Sequence, residues 1–318
     1  MNVALYEKGT GLRIAPWDDP TVPAGGLLVH TEACGLCSGE LMEWYMDAKA
    51  PHVLGHEVAG IVQESDDARF PVGSRVFPHH HAPCGVCDVC RAGHPVHCPQ
   101  WKATRLDPGG MADRFAVAAS NLNDTLVVDD LRAIDAALIE PLACVAKSLR
   151  RARVREGDQV AVVGLGVMGL MHAHWAPGAV GYDVNPARVA WAGGIGLDAR
   201  PAEHPEPADV VVVCPGSEDA LRFAAAIARP GARIVLFAPM PPGEEARVPL
   251  NRLYFQDVEL VSSYSCGPED SISAARALRQ GVVRAEQVVS HFIGINELPG
   301  AYGAMKRGEI LKPMVVFT

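Results

Sequence analysis

Hydrophobic and polar positions divide the chain into two regimes. Up to about residue 125 the apolar residues come in short runs broken by Gly and Pro: Val3-Ala4-Leu5-Tyr6, Leu27-Leu28-Val29-His30, Val58-Ala59-Gly60-Ile61-Val62 and Arg75-Val76-Phe77. Runs of this length, with turn residues between them, predict the strands of a compact β-barrel. Leu41-Met42-Glu43-Trp44-Tyr45-Met46 predicts a short helix that sets Trp44 or Tyr45 either beside a neighbouring site or into the core. From residue 131 to 153 the spacing turns helical, with one apolar face over residues 136–149. Strands and helices then alternate: Val160-Ala161-Val162-Val163, a helix from Leu170, Ala179-Val180-Gly181-Tyr182, residues 209–214, 232–237 and 258–262 as strands, and 220–228 and 269–280 as helices. Such alternation predicts a doubly wound parallel sheet from 146 to 284. Residues 288–292 and 313–317 read as strand again and are expected to rejoin the first domain. The expected architecture is α/β, one domain of residues 1–145 and 285–318 interrupted by a second of residues 146–284.

Chemistry concentrates on the connections. Cys84-Gly85-Val86-Cys87-Asp88-Val89-Cys90, followed by Cys98, can close a tetrahedral thiolate cage with no open position, which points to a structural zinc in a lobe of residues 79–100. An iron–sulfur cluster or a disulfide pair are the competing readings of the same four residues. Upstream, Cys37 sits in Ala33-Cys34-Gly35-Leu36-Cys37-Ser38-Gly39-Glu40, and His56 in Gly55-His56-Glu57. Thiolate and imidazole beside glycines that let backbone come close are donors zinc prefers, so Cys37 and His56 are candidate ligands of a catalytic Zn²⁺. Glu140 lies inside an apolar run, where a carboxylate is costly unless paired or bound to a cation, and is the candidate third ligand. His79-His80-His81 cannot all face one site; one or two point inward, or all three form a surface cluster. In the middle of the chain a strand runs into Gly164-Leu165-Gly166-Val167-Met168-Gly169 and then a helix, and Asp183 ends the next strand, 19 residues past Gly164. That context predicts a dinucleotide site, its glycines admitting a pyrophosphate to a helix N-terminus and Asp183 accepting hydrogen bonds from a ribose. The acid favours NAD over NADP, and Arg188 moderates the preference.

Composition narrows the classes. With 318 residues, 49% of them hydrophobic and 20% charged, the chain can bury two cores. A net charge of −9 argues against a nucleic-acid partner. No run approaches the roughly 20 apolar residues of a membrane span, and the first residues lack the basic start and apolar core of a signal peptide. A cytoplasmic location is expected, in which the nine cysteines stay reduced.

So arranged, the Cys37 loop, Gly55-His56-Glu57, the four-cysteine lobe, Glu140-Pro141-Leu142-Ala143 and the glycine loop resemble the zinc-containing medium-chain dehydrogenase/reductase family over essentially the whole chain. Glu140-Pro141-Leu142 is similar to the polyol (sorbitol) and threonine dehydrogenase branch. The resemblance implies a GroES-like β-barrel catalytic domain plus a Rossmann domain. It also implies two Zn²⁺ per chain, NAD, reversible oxidation of a secondary alcohol or polyol to the ketone, and a homodimer or homotetramer with no nucleic-acid or membrane partner. Glu57 would be an alternative ligand when Glu140 withdraws. Two departures from the family pattern stand out: Gly39 replaces the usual hydroxyl residue of the proton relay, with Ser38 beside it, and Glu40 stands where an Asp normally supports the zinc His. Two rival functions follow, a zinc-independent NADPH quinone or enoyl reductase of the same superfamily, and a non-catalytic protein that senses NAD or zinc.

Overall fold

The computed structural model describes residues 1–318, which form two compact units: Met1–Ala143 with Cys266–Thr318, and Cys144–Ser265. No helix is long and apolar enough to cross a membrane.

The first unit is built on a seven-stranded sheet. Its path runs His291–Ile293, Pro313–Val316, Leu27–Gly35, Glu57–Ser65, Arg75–Pro78 and Thr125–Val127, and Arg114–Val117 also pairs with Leu27–Gly35. A three-stranded sheet of Gly11–Pro16, Asn2–Glu7 and His52–Val53 completes the barrel. Leu27, Val29, Val58, Val62, Phe115 and Val315 pack together in its core, on strands that are buried along most of their length. Three sequence features place the chemistry. Strand Leu27–Gly35 runs past its expected end and delivers Cys37 two residues beyond it. Glu57 opens the next strand opposite Gly35, and Pro313–Val316 pairs antiparallel with Leu27–Gly35 so that Leu36 N–H bonds to the Pro313 carbonyl at 3.2 Å. The short helix expected near residue 41 is instead a 3₁₀ turn, Ser38–Leu41, followed by helix Glu43–Asp47, and Trp44 lies exposed on it.

The second unit is a six-stranded parallel sheet in the order Asp198–Pro201, Val180–Asp183, Val160–Val163, Ala208–Val213, Ala228–Leu236 and Glu259–Ser262. The strands read 3-2-1-4-5-6 in order of appearance, a doubly wound Rossmann sheet whose direction of winding reverses beside Val160–Val163.

Three expectations change. The helix at 131–153 is split into Ala133–Ala136 and Ile139–Arg151. The strand reading at 288–292 holds only for its end: Ala285–Val288 is one helical turn and His291–Ile293 is the strand. The return to the barrel unit comes at Cys266 rather than residue 285, because helix Pro268–Arg279 buries Ala274, Ala275 and Leu278 within that unit and Arg279 clamps Asp130 at 2.7 and 3.0 Å.

Candidate metal and nucleotide sites

Cys37 caps the turn Ser38–Leu41, its sulfur accepting from Gly39 N–H at 3.4 Å. The turn folds Glu40 back under both candidate ligands. One of its oxygens accepts from Cys37 N–H at 3.2 Å, and the other accepts from Gly55 N–H at 2.9 Å and faces His56 Nδ1 at 3.1 Å. A carboxylate facing Nδ1 favours the tautomer with the proton there, which would leave Nε2 for a cation. Gly55 is obligatory, since its φ is +102° and a Cβ would meet backbone at Met111 N at 2.2 Å, whereas a Cβ on Gly35 would press on the Glu57 carboxylate and the Lys312 side chain.

The donor atoms of Cys37, His56 and Glu57 lie within 4.8 Å of one another. Glu57, expected as the substitute ligand, is thus the carboxylate grouped with Cys37 and His56. Glu140 is grouped with His79 and Cys266 instead, its donor atom within the same 4.8 Å of theirs. The physical reason lies at the far end of the chain: Lys312, 1% exposed, bonds Glu57 Oε2 and donates to the Leu36 carbonyl at 2.9 Å, fixing Glu57 beside Cys37. Nothing local in the sequence marks Lys312; its signal would have been a lone Lys before an apolar strand.

The electrostatics fit a cation. Burial pushes the Cys37 thiol up, with His56 opposing. Burial disfavours the charged His56, but Glu40 and Cys37 outweigh it and raise the imidazole well above its ordinary value. Burial likewise acts against charged Glu40, and His56 with the two backbone N–H groups overcomes it and lowers the carboxyl. Burial raises Glu140, with Glu57 adding to it and His56 and His79 opposing. A dication binding thiolate and neutral imidazole would displace protons and neutralise this excess of acids. The donor chemistry therefore suits Zn²⁺.

The histidine triplet is no surface cluster. His79 is fully buried with Nδ1 on Asp124 at 2.6 Å, the His80 ring centroid is 4.8 Å from that of His56, and His81 packs on Trp101 at 4.1 Å with Nδ1 on the Thr104 carbonyl at 2.7 Å.

In the lobe, the Sγ atoms of Cys87 and Cys90, Cys98 and Cys84, and Cys87 and Cys98 are 3.5, 3.6 and 3.8 Å apart, and all four cysteines are free. A disulfide, at about 2.05 Å, is excluded; the edges of a tetrahedron with metal–sulfur bonds of about 2.3 Å come to about 3.8 Å. Burial opposes the Cys98 thiolate, yet backbone N–H groups of Cys84, Trp101 and Gln100 help draw it down to about 6. Replacing Cys90 by Ser is expected to remove one zinc per chain and cost more than about 4 kcal/mol of stability. Unchanged melting with full zinc content would refute the cage.

In the second unit, strand Val160–Val163 ends at Gly164 (φ +88°), and helix Val167–Trp175 begins with no side-chain cap, leaving the Val167 and Met168 N–H groups without helical partners. Gly169 must be glycine, since its Cβ would sit 1.8 Å from the Gly164 carbonyl oxygen. A Cβ on Gly166 meets nothing within 4 Å, the open cradle a diphosphate needs. Asp183 shapes the loop as well as facing it: it accepts from Leu165 N–H at 2.6 Å and Asn185 N–H at 2.8 Å, and Arg188 stands 3.8 Å away. Because Gly166 has ordinary extended backbone (φ −69°), Gly166→Ala is expected to keep stability within about 0.5 kcal/mol and weaken NAD binding at least about tenfold. Equal NAD affinity in a fluorescence titration would exclude the loop as the pyrophosphate site.

Residues 23–126 match the alcohol dehydrogenase GroES-like domain. Over its length the chain is 27% identical to sorbitol dehydrogenase of Halalkalibacterium halodurans, covering 97% of both chains. It is also 27% identical to L-threonine 3-dehydrogenase of Rhizobium rhizogenes, covering 91% of this chain and 90% of that one. Among solved structures, a zinc-binding dehydrogenase of Sinorhizobium meliloti 1021 bound to NADP superposes with a TM-score of 0.88 at 22% identity over 99% of each chain, a likeness of fold. The chain thus carries an alcohol dehydrogenase GroES-like domain and is similar from end to end to sorbitol and threonine dehydrogenases, the likeness expected from the Cys37 loop, Gly55-His56-Glu57 and Glu140-Pro141-Leu142.

Proposed function

We propose that this protein is a zinc-dependent, NAD-linked dehydrogenase that oxidises a secondary alcohol or polyol to the ketone. The observation that carries the reading is the grouping of Cys37, His56 and Glu57 with Glu40 on His56 Nδ1. Zinc, when bound, supplies Lewis acidity that lowers the pKa of the substrate hydroxyl. The chain's own residues do the rest. Glu40 retains the Nδ1 proton and fixes the ring. Cys37, Glu40 and Glu57 provide three negative charges, which Lys312 and a dication balance while His56 stays neutral. Ser38, exposed beside Cys37, offers a hydroxyl through which the substrate proton passes to solvent, the role Gly39 cannot fill. In the second unit, Gly166 with the helix N-terminus holds the pyrophosphate, and Asp183 holds the ribose. Asp183 disfavours a 2′-phosphate, so NAD is the proposed acceptor although Arg188 tempers its charge.

A carboxylate as third donor makes the site harder than a two-thiolate one, which favours substrates with two adjacent oxygens. Steady-state kinetics on a panel of polyols, vicinal diols and simple alcohols is expected to give the highest kcat/KM with a diol or polyol and NAD, and Asp183→Ala is expected to narrow the gap between NAD and NADP. Equal kcat/KM for NAD and NADP in the unaltered enzyme would refute the cofactor assignment, and ethanol outperforming every diol would refute the substrate class.

A further inference from the structure

The sulfur of Cys266 lies 3.6 Å from His79 Nε2 and 3.9 Å from the Glu140 carbonyl oxygen. His79 and Cys266 are fully buried and Glu140 is 6% exposed. One donor atom from each falls within 4.8 Å of the others. An imidazole nitrogen and a thiolate bound to one tetrahedral zinc, at bonds of about 2.05 and 2.3 Å, stand about 3.6 Å apart, the separation found here. His79 is also prepared as metal-binding histidines are: Asp124 takes its Nδ1 at 2.6 Å, and Asn121 pins its carbonyl at 3.0 Å. A thiolate, a carboxylate and a neutral imidazole sum to the charge of one dication, and the mixed sulfur, nitrogen and oxygen set suits the borderline-soft Zn²⁺.

We propose that His79, Glu140 and Cys266 form a third zinc site, sharing no donor with the four-cysteine lobe or with the Cys37 group, whose His56 and Glu57 act electrostatically on Glu140. Its place in the chain gives it a task. Glu140 comes just before the chain leaves the barrel unit after Ala143, and Cys266 is the residue on which it returns. A cation held by both, and by His79 from the barrel wall, clasps the base of the 126-residue separation between Glu140 and Cys266, a cross-link of the kind that stabilises most when it closes a long loop.

The test is zinc content of the full-length protein after equilibration with Zn²⁺, by elemental analysis against protein concentration. The unaltered chain is expected to hold three zinc ions, Cys266→Ala two, Cys37→Ala two, and the double variant one. Loss of zinc in Cys37→Ala but not in Cys266→Ala overturns this proposal while sparing the catalytic one, and the reverse pattern does the opposite. Should Cys266→Ala fail to fold, Asp124→Asn keeps every donor and loosens only the support of His79. Competition with a chelating dye is then expected to show one zinc bound about 10 to 100-fold more weakly. A zinc content of two in the unaltered chain, or Asp124→Asn with unaltered affinity for every zinc, would overturn the site.

Discussion

Cys37→Ala and His56→Ala are each expected to lower kcat/KM by at least about 10³-fold while NAD affinity stays at its unaltered value. The size follows from what the metal contributes: several kcal/mol of stabilisation at the reacting oxygen, at about 1.4 kcal/mol per factor of ten. The constancy of NAD affinity follows from the second unit, where Gly166 and Asp183 belong to a sheet that contains neither residue. Glu40→Gln tests the same centre more gently. It keeps the shape and removes the charge that orients His56, so zinc affinity is expected to fall about 10 to 100-fold, with activity restored by added Zn²⁺. Steady-state kinetics beside fluorescence titration of NAD separates the outcomes. Cys37→Ala with more than a tenth of the original activity would show that the reaction does not depend on this centre.

Lys312→Met is expected to cost about 3 to 5 kcal/mol of stability, because it strands a buried carboxylate whose counter-charge has gone. Lys312 and Glu57 are each only 1% exposed, so solvent cannot take over. Burial works against the charged Lys312, but Glu57 and Cys37 outweigh it and hold the ammonium above its ordinary value. The loss is expected to be largest in chelator-treated protein and smaller with zinc bound, since the metal then shares the compensation of Glu57. The double variant Lys312→Met with Glu57→Gln is expected to recover most of the loss, a coupling read from urea unfolding of the four proteins. A cost below about 1 kcal/mol in metal-free Lys312→Met would mean that Glu57 is compensated in some other way.

What the sequence made legible was local. Cys84, Cys87, Cys90 and Cys98 lie within 15 residues, and Gly164, Gly166 and Gly169 carry their strand and helix beside them, so spacing alone specified their geometry. Glu40 was readable for the same reason, being three residues from Cys37 on one tight turn. Contacts closed across the fold were not readable: Lys312 meets Glu57 over 255 residues and Cys266 meets His79 over 187. The run around residue 140 announced a buried acid without saying which of two donor groups it faces. Helices Pro186–Gly194 and Leu298–Lys306 escaped notice because Gly and Ala dilute their apolar stripe. The boundary at Cys266 was missed because an amphipathic helix shows that it has a partner and not which partner.

The barrel unit is assembled from both ends of the sequence, and this orders events during synthesis on the ribosome. When Ser265 emerges, the parallel sheet is complete, while the barrel still lacks strand Pro313–Val316 and the ammonium of Lys312. Domains tend to fold as they are made, so the nucleotide-binding half can mature first and the nascent barrel waits with Cys37, His56 and Glu57 on an open edge. Metal capture in that interval would occupy a centre whose charge the last few residues have yet to balance.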